Sequence, residues 1–213
     1  MPRIIAFSSA SNKQYRCLSN LAQAPFEISW PDLPCIPAHL RGQTRTYLSS
    51  EHAYQSLKTK DRRSADRLGS LSMRAFAQWP KGRGKVVDMY EKKQAYWGSR
   101  GSVGIVALMA AKLDGAVAEQ ALGITLTRAW TPARDFDTQL QIWEPILKAK
   151  FEQNDEARAL LASTAPYTLV EAARFRRPSN YWNAYIQKAD GVLVGENMMG
   201  RLLQHVRDRH FVP

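Results

Sequence analysis

Between Ser49 and Lys58 the sequence reads SSEHAYQSLK. On a helix, Glu51, Tyr54, Gln55 and Lys58 would fall at i, i+3, i+4 and i+7. That spacing gathers a carboxylate, a phenol, an amide and an ammonium on one face. A helix in a globular fold ordinarily turns an apolar stripe inward, and Ala53 and Leu57 are thin material for one. Such a face can line a pocket, with the acid at the N-terminal end, where backbone N–H groups favour its ionised form. An exposed helix bearing a charge pattern accounts for the same spacing.

Two further constellations carry chemical potential. In LKAKFEQN, Lys150 lies three residues after Leu147 and four after Ile146, on the stripe a helix would bury. A lysine there either snorkels to solvent or reaches into a site to meet an anion. In Tyr181-Trp182-Asn183, a tryptophan in a polar loop offers a stacking surface for a base. A helix beginning at Asn197, after Gly195, offers backbone N–H groups to a phosphate. A core tryptophan and an ordinary asparagine cap are the plainer readings.

Several chemistries lack their signatures. The chain has no G-x-G-x-x-G, no phosphate-binding P-loop and no G-x-S-x-G elbow, and Lys81-Gly82-Arg83-Gly84-Lys85 has the wrong glycine spacing. His39, His52, His205 and His210 are not spaced for zinc. Neither a metal nor a cofactor is therefore expected.

The elements that must position these residues follow from periodicity and punctuation. Arg3 to Phe7 reads as a short buried strand, and Phe26, Ile28 and Trp30 alternate as in another. Prolines and Gly42 then mark loops. Ser49-Ser50 caps a helix to about Thr59. Apolar spacing predicts a helix over 103–122, a second from near Trp143 with Pro145 in its first turn, and a third capped by Asp155. Tyr167 to Ala172 reads as a strand, 176–195 as a loop, and Asn197 as the start of a last amphipathic helix. The pattern is a helix-rich α+β fold with a small sheet. Strands and helices do not alternate enough for a doubly wound one.

With 213 residues, 45% hydrophobic and 23% charged, the chain can bury a core without staples. We expect one domain over 1–213, with a basic insertion at about 61–140. Cys17 and Cys35 stand apart from any Cys/His cluster, which suggests free thiols in a reducing compartment. The opening MPRIIAFSSA lacks the apolar core of a signal peptide, and the longest apolar stretch, near 104–111, is too short to span a bilayer. A cytoplasmic protein without a membrane partner is expected. The net charge is +11, and Lys58 to Arg100 holds twelve Lys/Arg against four Asp/Glu, a local net of +8. Such an excess attracts nucleotides, phosphates or nucleic acid through the 58–100 segment; a merely solvated basic face explains the same composition.

Taken together, the chemistry-bearing pieces resemble the YbiA-like, or NADAR, family. Ser19-Asn20-Leu21 with Ala24-Pro25-Phe26 is similar to its "SNF…PF" block, and Ser50 to Lys58 to its "SEHYYQAQK" helix. Lys148 to Phe151 resembles "xxKF", and Leu160 to Thr164 with Leu169-Val170-Glu171 resembles "LLxTG…LVE". Tyr181-Trp182 matches the tryptophan loop, and Gly195 to Gly200 the "GxNxLG" helix start. The blocks cover about residues 5–60 and 143–207, in order. Asn183 stands where the family usually has glycine, and Leu21 replaces its usual phenylalanine.

The resemblance implies N-glycosidase chemistry on ribosylated nitrogen, with ribosylaminopyrimidine phosphates or ADP-ribosylated nucleobases as substrate classes. It implies Glu51 as the catalytic carboxylate, with Asn20, Lys58, Lys150, Trp182 and Asn197 lining the site. Tyr54 and Gln55 join them by sharing the face of Glu51. A carboxylate beside C1′ would stabilise the oxocarbenium-like charge of the transition state. Tyr54 and His52 are the candidates for protonating the leaving nitrogen. Two other classes stay open: a non-catalytic ADP-ribose or nucleotide-binding module, and a nucleic-acid-binding protein.

Overall fold

Alternation of side chains and the capping of helix ends account for most of the regular structure. The computed structural model describes residues 3–8, 14–72, 102–173, 180–187 and 191–212. In chain order it has β1 (Ile4–Phe7), a 3-10 turn at Arg16–Leu18, β2 (Phe26–Ser29), β3 (Thr44–Tyr47), α1 (Ser50–Ser56) and α2 (Arg62–Gly69). After the segment 73–101 come α3 (Gly104–Ala110), α4 (Gly115–Leu122), α5 (Phe136–Glu152), α6 (Asp155–Ser163), β4 (Thr168–Glu171), β5 (Tyr185–Ile186), β6 (Leu193–Val194) and α7 (Met198–His210). This is a helix-rich α+β fold. No helix among the described residues is long and apolar enough to cross a membrane.

The chain divides into two compact units. Residues 1–19 with 154–213 form the first. Its strands β1 and β4 pair in parallel, Ile4 opposite Thr168 through Phe7 opposite Glu171. Helix α7 packs on β4, burying Met198, Met199, Leu202, Leu203 and Val206. Gly200 allows that approach: a Cβ there would stand 2.3 Å from the Leu169 carbonyl oxygen. The buried Arg207 ties α7 to the carbonyls of Thr164 and Tyr167. β5 and β6 make a short antiparallel pair inside the stretch expected to be a loop.

Residues 20–153 form the second unit. β2 and β3 pair antiparallel, Phe26 opposite Tyr47 through Ser29 opposite Thr44. Phe26, Ile28 and Trp30 turn inward, as their alternation requires. β3 was not expected, because Arg45 occupies an inward position where an apolar residue would have signalled a strand. Arg45 forms an ion pair with Asp66 of α2. Trp30 Nε1 donates to Tyr47 Oη (3.0 Å), and Tyr47 Oη meets Ser56 Oγ (3.0 Å), so the hairpin is bonded to α1.

Three helix boundaries differ from expectation. The stretch 103–122 is two helices, because Asp114 caps a new one by accepting from the Ala116 N–H (3.0 Å). The helix expected from Trp143 begins seven residues earlier at Phe136, where Asp135 accepts from the Thr138 N–H (2.8 Å). Pro145 therefore lies inside α5, not in its first turn. α2 forms in the basic stretch because Asp61 caps it through the Ser64 N–H and hydroxyl. α2 and α3 pack directly on α1, which carries Glu51. The cluster at Lys81 to Lys85 lies outside the described residues.

His52 fastens the start of α1. It is wholly buried, and its Nε2 donates to the Leu71 carbonyl (2.8 Å), which fixes the tautomer. Nδ1 then accepts from the Ser49 hydroxyl (2.8 Å). Burial pushes its pKa down from 6.5 to about 4, with the Leu71 bond opposing the shift. As pH falls, the unfolded chain protonates first, so stability present above pH 6.5 is lost toward pH 4. The loss should approach about 3 kcal/mol. Denaturant melts of the wild type and His52→Gln across this range will measure it. An equal pH dependence in both proteins would remove His52 as the cause.

Candidate active site

The site is built on α1. Ser49 caps the helix, with its Oγ accepting from the His52 N–H (3.4 Å), and extended backbone at Ser49 turns the chain in from β3. The polar face is not exposed. Glu51 is 4% accessible and Gln55 2% accessible, so the exposed-helix reading of the spacing does not hold. What brings the acid inside is a close approach by α3. A Cβ on Gly104 would lie 2.9 Å from Glu51 Cβ and 2.8 Å from Leu21 Cα, so only glycine fits between them.

A buried carboxylate needs donors, and Glu51 has them on both oxygens. Asn20 Nδ2 donates to Oε2 and Gln55 Nε2 to Oε1. The Asn20 carbonyl also accepts the Glu51 N–H (3.0 Å), so one residue holds both ends of the acid. Burial pushes the Glu51 carboxyl above the ordinary carboxylate range. The Gln55 bond, the charges of Lys58 and Lys112, and the Asn20 bond pull it back. Lys58 is pushed down by desolvation, held up by Glu51 and pushed down again by Lys112. One acid and two ammonium groups therefore share an electrostatic neighbourhood. Lys112 was missed from the sequence. It follows the end of α3, and nothing in its spacing linked it to Glu51.

Tyr54 is held among aromatic rings. It stacks on Trp143 at 4.6 Å and 20°, and meets Trp130 edge-on at 5.7 Å. The Lys58 ammonium lies 5.2 Å from its ring centroid. Trp130 is anchored by its Nε1, which donates to the Cys35 carbonyl (2.8 Å). Its loop is fastened to the end of α1: the Thr127 N–H donates to the Lys58 carbonyl (2.7 Å), and the Lys60 N–H to that of Thr125 (2.9 Å). Trp143 was read as a helix start; only folding gathers it with Trp130 around Tyr54. His52, by contrast, has both ring nitrogens engaged away from this face and is poorly placed to protonate a leaving group.

Lys150 is 0% accessible, with its ammonium 4.9 Å from the Phe151 centroid, so snorkelling to solvent is not what it does. Trp182 and Asn197 belong to the other unit. Trp182 is half-buried, edge-on to Tyr181 at 4.9 Å. Asn197 is buried in a left-handed conformation (φ 51°), and its amide is spent on β4: Nδ2 donates to the Leu169 carbonyl (2.8 Å), and Oδ1 accepts from the Glu171 N–H (3.1 Å). Two N–H groups of the expected phosphate seat are already engaged there. The Met198 and Met199 N–H groups donate to the carbonyls of Tyr181 and Trp182 (3.0 Å each). The helix start organises the tryptophan loop instead.

Among the described residues no His/Cys/Asp/Glu cluster could hold a metal. What the geometry offers is a desolvated carboxylate, oriented by two amides and flanked by cations. Such a group stabilises positive charge developing beside it, and its neighbours attract anions. Removing Lys58 should expose its share: in Lys58→Met the Glu51 carboxyl should titrate at higher pH than in the wild type. Carbon-13 NMR of the glutamate side chains will report it. A titration that stays put or moves lower would show that Lys58 does not act on Glu51.

The chain is similar in structure to the E. coli protein YbiA, solved by NMR, with 24% identity over 98% of this chain and 85% of that one and a TM-score of 0.52. That likeness speaks for the fold. No curated protein matches the chain in sequence. The family model of the NADAR domain matches residues 6–210. The chain therefore belongs to the NADAR domain family.

Proposed function

We propose that this protein is an N-glycosidase that hydrolyses the C1′–N bond between a phosphorylated ribose and a nitrogen base. The observation that carries the reading is the buried Glu51 carboxylate, held by Asn20 and Gln55 and faced by the charges of Lys58 and Lys112. As the C1′–N bond lengthens, positive charge gathers on the sugar. A fixed carboxylate there binds the transition state more tightly than the ground state. Lys58 and Lys112 supply attraction for the substrate phosphate. Family membership favours glycosidase chemistry over simple nucleotide binding, as does retention of the acid where a binding module would not need it.

The substrate class is either a free ribosylaminopyrimidine phosphate or ADP-ribose on a nucleobase. Incubation with a ribosylaminopyrimidine phosphate, ADP-ribosylated guanine in DNA, and NAD, followed by mass spectrometry, should show a released base from one of them. Release from none would leave a binding module as the better reading.

Glu51→Gln should lower turnover by roughly two to four orders of magnitude, the usual weight of a positioned acid/base group. Ligand affinity should change much less. The raised carboxyl makes the charged form the costly one in the folded state, so stability is lost as pH rises through its pKa. The amide variant should therefore melt no lower than the wild type at neutral pH. An active Glu51→Gln would remove Glu51 from the mechanism. A markedly less stable one would assign the loss to folding.

A further inference from the structure

Gln55 has an unused half. Its Nε2 donates to Glu51 Oε1, while its own Oε1 is buried and has no hydrogen-bond partner in the protein among the described residues. A buried carbonyl oxygen without a donor is costly, and native structures rarely keep one without a reason. In an amide the oxygen and nitrogen share one carbon. Gln55 Oε1 therefore lies near the carboxylate that Nε2 holds. Each carboxylate oxygen of Glu51 can accept a second hydrogen bond. Two acceptors thus lie within one amide group's reach of each other, one charged and one neutral.

We propose that Gln55 Oε1 and Glu51 together seat the attacking water of the hydrolysis. The proposal rests on the glycosidase reading above. A water donates two hydrogen bonds. Giving one to Gln55 and one to Glu51 fixes its orientation and leaves a lone pair pointing away from both acceptors. The water oxygen then forms the bond to C1′ as the C1′–N bond breaks with its electron pair onto nitrogen. One water proton passes to Glu51, which later gives it up to solvent, and the leaving nitrogen takes one proton from solvent, so that water is added across the bond. Asn20 makes the matching donation to the other carboxylate oxygen through an amide whose role here is to hold the acid. Gln55 does that and also touches the nucleophile.

Methanol tests the seat because it has one O–H and can satisfy only one acceptor. In water–methanol mixtures the wild type should form methyl riboside well below the proportion of methanol. Product in proportion to methanol would overturn the proposal without any variant. Gln55→Met should lower hydrolysis roughly ten- to a hundredfold, the weight of one to two lost hydrogen bonds in a barrier. Methanolysis should fall less, so the product ratio shifts toward methyl riboside. Asn20→Leu removes the donor to the other Glu51 oxygen, and should lower both products alike. Equal losses of both products in Gln55→Met would reduce Gln55 to a support for Glu51. A raised KM with an unchanged ratio would mean that it holds a substrate hydroxyl; either result overturns the water seat. A wild type that releases neither free base nor methyl riboside would overturn the glycosidase reading itself.

Discussion

A carboxylate taken out of water loses its solvation, and Glu51 stays useful only through what replaces that water. Two amide donors, one on each oxygen, and two nearby ammonium charges make the replacement. Each depends on a different part of the chain. Asn20 comes from the loop before β2, Gln55 from the next turn of α1, Lys58 from just beyond that helix, and Lys112 from beyond α3. The rest of the 20–153 unit can be understood as the packing that holds these four around one acid. Gly104 lets α3 approach the acid, His52 secures the helix start from behind, and the Trp30–Tyr47–Ser56 chain of hydrogen bonds fastens α1 to the hairpin.

The same helix shows how one short segment can serve stability and chemistry on different faces. His52 and Glu51 are adjacent in sequence and both buried, yet burial has opposite consequences for them. The imidazole is pushed down and remains neutral at ordinary pH, with both nitrogens in neutral hydrogen bonds. The carboxyl is pushed up but is opposed by donors and cations. The difference lies in the partners: a carbonyl and a hydroxyl for one, amides and lysines for the other.

In the other unit, Asn197 joins helix, strand and loop. Its left-handed backbone starts α7, its amide completes the edge of β4, and the next two N–H groups take the carbonyls of Tyr181 and Trp182. The result is a tryptophan loop fixed by main-chain bonds at its base. Gly200 one turn later is required by the same close packing of helix on strand.

The sequence by itself determined the local events. Alternation marked β2, the Ser49 cap marked α1, and the i, i+3, i+4, i+7 spacing put Glu51, Tyr54, Gln55 and Lys58 on one face, because helix geometry is set within a few residues. It also held the six ordered blocks that resemble the family. Only the tertiary structure decided whether that polar face met water or protein, since burial depends on what other segments bring. α3 covers Glu51 from a distance in sequence that no periodicity encodes. The same holds for Lys112 beside Lys58, for Trp130 and Trp143 around Tyr54, and for the strand at Arg45, whose inward charge concealed it. The helix start at Asn197 was legible, but not that its first two N–H groups meet the Tyr181 and Trp182 carbonyls. A hydrogen bond to a distant carbonyl leaves no trace in the residues that make it, because every residue's backbone carries the same groups.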